Sequence, residues 1–265
     1  MTPICVMTVA GSDSGGGAGI QGDLKTFSAL GAYGTSVITA VTAQNTVGIR
    51  SVQGMGPDIV KDQMESILED FPIAGIKVGM LHSVSIIGIV VSLIRERVTC
   101  PIVVDPVIIS SSGTALTEDE GLEPMKKKLF PLAQLVTPNL PEMESLAHQT
   151  IHSESDMIRS CEKLYDEVHT PILLKGGHRK DKPCDILFDG AAFHYFNSSF
   201  IRTSNDHGTG CALSSAITVH LAQGKSLLSS VEKGKHYITH CLTYSYPLGE
   251  GHGPINHFWN QEKPG

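Results

Sequence analysis

Asn205-Asp206-His207-Gly208-Thr209-Gly210-Cys211, running on into Ala212-Leu213-Ser214-Ser215-Ala216-Ile217, is the stretch on which the reading of this chain turns. Two glycines flank a threonine, and small and apolar residues follow at helical spacing to about Ala222. The pattern predicts a tight turn feeding a helix N-terminus, where unpaired N–H groups and the positive end of the helix dipole attract anions. Gly208 and Gly210 let the backbone approach a ligand with no Cβ in the way. Cys211 falls in the first helical turn, where the dipole is expected to lower a thiol pKa. An anion cradle beside a polarised thiol suits phosphoryl transfer onto a hydroxyl. A glycine-capped core helix with a buried structural cysteine fits the same letters, because short glycine motifs recur by chance. The rest of the chain has to decide.

The 265 residues are enough for one large α/β domain with a sizeable core, and we read 1–265 as a single domain. Hydrophobic residues make up 41% and charged residues 18%, ordinary values for a globular protein. The net charge is −7, and the longest basic block is Lys126-Lys127-Lys128. That argues against nucleic acid or an anionic membrane as the main partner. No apolar run approaches membrane-spanning length, and no signal-peptide pattern follows Met1. The six cysteines are scattered without a CxxC pair, which fits free thiols in a reducing cytoplasm.

Taken in order, apolar runs of strand length alternate with helical patterns. Strands are predicted at 4–10, 35–43, 49–55, 74–80, 101–105, 135–136, 171–174, 184–188 and 191–196. Helices are predicted at about 19–30, 57–71, 83–98, 117–128, 140–148, 153–168, 210–223 and 226–245. Six or more alternations imply a mostly parallel central sheet with helices on both faces, the α/β class. Polar and ionisable residues recur just after strands: Asp13, Gln44, Asp105, Asn139 and Lys175. In open α/β sheets these strand ends line the ligand crevice.

Three motif matches fail on inspection. Gly17-Ala18-Gly19-Ile20-Gln21-Gly22 spells the dinucleotide fingerprint, but no acidic residue occurs between Asp23 and Asp58 to hold a ribose. Gly224-Lys225-Ser226 follows a helix and has Val219 at the position where a P-loop needs its first glycine. His236 and His240 share a helix face, but Tyr237 occupies the metalloprotease glutamate position. Asp105 and Glu142 are carboxylates able to hold Mg²⁺ beside nucleotide phosphates, although a loop-capping aspartate and a first-turn glutamate would read alike. Lys175, followed by two glycines, is either a phosphate ligand or a solvated lysine.

Together these stretches resemble one family. Ala10-Gly11-Ser12-Asp13-Ser14-Gly15-Gly16-Gly17-Ala18-Gly19-Ile20-Gln21-Gly22-Asp23, Val41-Thr42-Ala43-Gln44-Asn45, Val104-Asp105-Pro106-Val107, Thr137-Pro138-Asn139-Leu140-Pro141-Glu142, Leu174-Lys175-Gly176-Gly177-His178, His207-Gly208-Thr209-Gly210-Cys211 and Gly251-His252-Gly253-Pro254-Ile255-Asn256-His257 match in order. They are similar to the hydroxymethylpyrimidine/phosphomethylpyrimidine kinases of thiamine biosynthesis, in the ribokinase-like superfamily. The resemblance implies a ribokinase-like fold and two successive ATP-dependent phosphorylations, to a monophosphate and then a diphosphate.

It also implies roles by position. Gln44 pairs with the pyrimidine edge, and Gly11, Asp23, Met80 and Val107 surround the ring. Asp105 and Glu142 serve Mg²⁺, and Asn139, Lys175 and Thr209 lie near ATP. Gly208, Gly210 and Cys211 form the anion hole, with Cys211 as a thiolate accepting the hydroxyl proton. Gly22 departs from the usual Ala. A homodimer is expected, and no fused thiamine-phosphate synthase domain. A pyridoxine/pyridoxal kinase of the same family is the alternative enzyme, and a vitamin-binding sensor on a kinase scaffold is the non-enzyme one.

Overall fold

The computed structural model describes residues 2–108, 116–176, 184–197 and 201–261. Nine strands among these residues form one sheet in the order β3-β2-β1-β4-β5-β6-β7-β8-β9. They are β1 (Cys5–Asp13), β2 (Tyr33–Gln44), β3 (Ile49–Gly54), β4 (Ile73–Val78), β5 (Ile102–Val104), β6 (Leu135–Val136), β7 (Ile172–Leu174), β8 (Cys184–Phe188) and β9 (Phe193–Asn197). The six strands from β2 to β7 in that order run parallel, and β3, β8 and β9 pair antiparallel at the two edges. The mostly parallel sheet expected from the alternation is therefore present. The polar loop at 110–113 and the Gly177-His178 pair lie outside the described residues.

The alternating burial of the short strands explains the layers. Val103, Leu135, Leu173 and Leu187 face one side, against helices α7 (Thr209–Ala222) and α8 (Leu227–Thr243). Ile102, Val104, Val136, Ile172, Leu174 and Ile186 face the other. That second side is covered by α2 (Pro57–Asp70), α3 (Val84–Arg97), α5 (Leu140–Ala147) and α6 (Glu154–Val168). Helix α1 (Gly19–Ala29) completes the first side, where Phe27 packs with Val6 and Val219. Because side chains on a strand alternate faces, the short inner strands β5, β6 and β7 are apolar at every position and serve both layers.

The sequence pattern predicts one helix over 117–128, and the chain there does something else. A 3-10 turn (Asp119–Gly121), a three-residue helix α4 (Leu122–Pro124), a π turn (Met125–Leu129) and a second 3-10 turn (Phe130–Leu132) follow one another. Pro124 and Pro131 each lack an N–H and crowd the preceding turn, so a regular i to i−4 ladder cannot run through.

The C-terminal segment is fastened by a buried histidine. Thr26 Oγ1 donates to the Gly22 carbonyl at 2.9 Å, so at its 3.1 Å contact with His257 Nδ1 it must accept. His257 therefore carries its proton on Nδ1, and its buried Nε2 has no partner among the described residues. Burial, with Lys25 adding to it, holds this ring down at about 4 instead of the ordinary 6.5. The unfolded chain takes up a proton near pH 6.5, and the folded chain does not until about pH 4. Stability should thus be whole above pH 6.5 and fall as pH drops toward 4, by about 3 kcal/mol in all. Urea unfolding at pH 7 and pH 5 checks this, and His257→Gln is expected to flatten the dependence.

Candidate active site

The parallel strands all end on one edge, and the polar residues read from the sequence collect there. Asp13 and Gln44 close β1 and β2, Met80 follows β4, Asp105 follows β5, Asn139 follows β6 and Lys175 follows β7. A cavity of about 170 Å³ opens among them. Gly11, Gln44, Met80, Asp105, Val107, Asn139, Glu142, Lys175, Gly208, Gly210 and Cys211 all line it.

Residues far apart in sequence close the cavity from the α7 side. Gly208 is the N-cap of α7 and has φ +86°, so the turn needs a residue tolerant of the left-handed region. A Cβ there would also lie 1.9 Å from the Gly17 carbonyl oxygen. A Cβ on Gly210 would lie 3.2 Å from Lys175 Nζ, which places that ammonium over the first turn of the helix. The loop itself is propped by the C-terminal segment. His207 N donates to the Gly253 carbonyl at 3.1 Å, and His252 N donates to the Thr46 carbonyl at 3.0 Å. The 251–257 stretch thus supports the glycine turn that opens α7.

Two ion pairs organise the floor. Lys175 Nζ lies 2.7 Å from Asp105 Oδ1, and Thr137 and Ser214 hydroxyls also donate to Asp105. Burial alone would raise the Asp105 carboxyl, but Lys175 and Lys77 hold it below its ordinary value. Lys77 Nζ lies 3.0 Å from Asp23 Oδ2, and neither side chain is exposed. Burial works against the Lys77 charge, yet the neighbouring Asp23, Cys211 and Asp105 raise its pKa. Burial pushes Glu142 up to about 7, with Lys175 opposing and the Asp105 charge adding.

Three sequence expectations need correction. Asp23 does not surround the ring: it is wholly buried beneath the cavity and accepts from Thr8 at 2.6 Å, Ser215 at 2.7 Å and Lys77. Its charge demanded partners, and the core supplied them away from the ligand space. Cys211 is not set up as a thiolate: burial pushes the thiol up to about 11, and Lys77 only partly opposes it. The helix dipole argument omitted desolvation, which is the larger effect here. Thr209 is absent from the cavity wall, its hydroxyl being turned to the Asp206 carbonyl at 2.5 Å. Asn139 does line the cavity, but its Oδ1 caps α5 by accepting from Glu142 N at 2.9 Å, while Glu142 Oε2 accepts from Asn139 N at 2.8 Å.

Two ionisable wall residues went unnoticed in the sequence. Lys77 was signalled only by being a charge inside the apolar strand Ile76-Lys77-Val78. His207, next to the glycine turn, puts Nε2 2.8 Å from Asp13 Oδ2. Asp13 also accepts from the N–H groups of Gly15, Gly17 and Ala18, and its carboxyl is held below the ordinary value: burial opposes this, but His207 and those amides outweigh it.

The carboxylates that remain are suited to a hard cation. Among the described residues no three His, Cys, Asp or Glu side chains cluster as a metal nest. Asp105 and Glu142 are two buried carboxylates on one wall, which fits an ion that takes one or two protein carboxylates and completes its shell with phosphate oxygens and water.

The phosphomethylpyrimidine kinase family model matches residues 13–256. The chain belongs to this family. It is 39% identical to the hydroxymethylpyrimidine/phosphomethylpyrimidine kinase of Bacillus subtilis, over 95% of this chain and 94% of that one. It is 47% identical to a bifunctional thiamine-biosynthesis protein of Geobacter sulfurreducens, over 95% of this chain, and spans 52% of that relative's length. Among solved structures, it superposes on phosphomethylpyrimidine kinase from Clostridium difficile with a TM-score of 0.79 at 44% identity, covering 89% of this chain and 98% of that one. An ADP complex of Bacillus subtilis pyridoxal kinase superposes with a TM-score of 0.90 at 31% identity, covering 97% and 98%. The fold is therefore ribokinase-like, and the relatives are kinases.

Because a side chain at 208 would meet both a backbone oxygen and a disfavoured φ, Gly208→Ala is expected to cost about 1–3 kcal/mol in stability. It should also displace the α7 turn. A chemical-denaturation midpoint equal to that of the wild type would contradict this.

Proposed function

We propose that this chain phosphorylates 4-amino-5-hydroxymethyl-2-methylpyrimidine with ATP, first to the monophosphate and then to the diphosphate. The observation that carries the reading is the meeting of Gln44, Cys211, Asp105 and Lys175 on one cavity wall, from strands and a helix widely separated in sequence. An amide offers a donor and an acceptor side by side, as the amino group and ring nitrogen of the pyrimidine require. Met80 and Val107 supply apolar walls for the ring, beside Gly11.

In this reading the N–H groups from Gly208 to Cys211 receive the transferring phosphoryl at the positive end of α7, and Lys175 neutralises phosphate charge. Asn139 stands on the nucleotide side. Asp105 and Glu142 would hold Mg²⁺. The ion supplies charge neutralisation on the triphosphate when bound. Cys211 faces the acceptor alcohol as a neutral thiol. In a loose transition state the need for a strong base is small, so positioning of the hydroxyl dominates.

No helix among the described residues is long and apolar enough to cross a membrane. The reduced, buried thiols of Cys5, Cys161 and Cys241 support a cytoplasmic setting. Homodimer formation is carried by the family resemblance alone.

Pyridoxal kinase activity is the second reading, favoured by the 0.90 superposition. Parallel kcat/KM measurements with the hydroxymethylpyrimidine and with pyridoxal, following ADP release, decide between them. The pyrimidine is expected to win, and a clear preference for pyridoxal overturns the choice. Gln44→Ala should weaken pyrimidine binding about 10-fold or more by calorimetry, since two hydrogen bonds are lost. Cys211→Ala should lower kcat about 10²–10³-fold while leaving pyrimidine affinity near that of the wild type. Undiminished turnover would make the thiol a passive wall.

A further inference from the structure

Two ammonium groups line the cavity, and they differ in where their counter-charges lie. Lys175 shares the wall with Asp105 and Glu142. Lys77 also lines the cavity, but its partner Asp23 does not, being turned to Thr8 and Ser215 below. The Lys77 side chain is wholly buried, and among the described residues its ammonium makes one hydrogen bond, to Asp23. An ammonium carries three N–H donors, and a buried charged donor left unmet is costly. Lys77 lies close enough to Cys211 and Asp105 for its charge to act on both. The cavity floor beside the thiol therefore carries a buried cation whose counter-charge lies below it and whose remaining N–H donors are free among the described residues.

The two phosphorylations of the pyrimidine kinase reading, on which this inference rests, make different demands. In the first, the hydroxymethyl oxygen bonds to the γ-phosphorus and its proton passes by way of a phosphoryl oxygen to water, while the bond from that phosphorus to ADP breaks and ADP leaves with the electron pair. In the second, the acceptor is a phosphate monoester whose second pKa is about 6, so near pH 8 there is no proton to remove. A monoester oxygen bonds to the γ-phosphorus and ADP again departs with the electron pair. What the second transfer needs is a counter-charge for a dianion brought up to a triphosphate. We propose that Lys77 is that counter-charge, its ammonium at the cavity floor binding the phosphate of the monophosphate and so governing the second phosphorylation in particular.

The test measures each step separately by ADP release, with the hydroxymethylpyrimidine and with purified monophosphate as acceptors. Wild type, Lys77→Met and the charge-neutral pair Lys77→Met/Asp23→Asn are compared. The pair avoids stranding a buried carboxylate, which the single variant does. In either variant kcat/KM for the monophosphate is expected to fall about 10- to 100-fold further than that for the hydroxymethylpyrimidine. Equal losses in the two steps, or an unimpaired second step, overturn the proposal.

Calorimetry on wild-type protein without nucleotide gives an arm that needs no variant to fold. The monophosphate is expected to bind about 10-fold or more tightly than the hydroxymethylpyrimidine, and equal or weaker binding also overturns it. If the wild type fails to phosphorylate the hydroxymethylpyrimidine at all, the kinase reading falls, while loss of the calorimetric preference in Lys77→Met/Asp23→Asn still reports on Lys77.

Discussion

Helix α7 is tied to the sheet by two consecutive serines on two buried carboxylates, and the site depends on that tie. Ser214 Oγ lies 3.3 Å from Asp105 Oδ2, and Ser215 Oγ donates to Asp23 Oδ1 at 2.7 Å. Each carboxylate also holds a lysine, so the helix, strand β4 and the loops after β5 and β7 share one charge network. A buried charge is tolerated only when fully partnered, and removing one member strands the rest. The small residues Ala212, Ser214, Ser215 and Ala216 let the helix settle close to the sheet, and all are buried. The N-terminal turn of α7 is therefore held at the cavity by buried side chains on the helix's own sheet-facing side.

Cys211 shows two opposing effects in one residue. Its place in the first turn of α7 favours a thiolate through the dipole, and Lys77 adds to that. Burial wins, and the thiol stays protonated at neutral pH. The same enclosure that raises the thiol strengthens every hydrogen bond offered to a phosphoryl group in the site. A site that stabilises transferring charge by fixed N–H groups has less use for a charged sulfur.

How much of this was legible follows from which signals are local. Strand and helix periods are written in the residues themselves, so the nine strands and the main helices were read within a few residues. The 119–132 segment was misread because proline geometry overrode a weak helical pattern. The cavity wall was legible where polar residues end parallel strands, since topology alone sends Gln44, Asp105, Asn139 and Lys175 to one edge. Asp23 and Lys77 were not, because they occupy the interiors of a helix and a strand and found each other only on packing. Desolvation of Cys211 was invisible for the same reason: burial is a property of the assembled layers.

The orientation of the Gln44 amide is set by neighbours rather than by Gln44 itself. His207 Nε2 faces the ionised Asp13 carboxylate at 2.8 Å and must carry a proton. Gln44 Nε2 stands 3.4 Å from that same ring nitrogen, which would put two donors face to face. Thr42 Oγ1 lies 3.1 Å from both the Ser12 carbonyl and Gln44 Oε1, and its single proton can serve only one of them. Exchanging the amide oxygen and nitrogen resolves both conflicts. The oxygen then faces the His207 ring without taking its proton, which goes to Asp13, while the nitrogen donates to Thr42 and Thr42 donates to Ser12. The order of acceptor and donor along the cavity edge follows from this chain. Asp13 thus fixes the His207 tautomer beside Gln44, while its remaining bonds to Gly15, Gly17 and Ala18 shape the loop beneath.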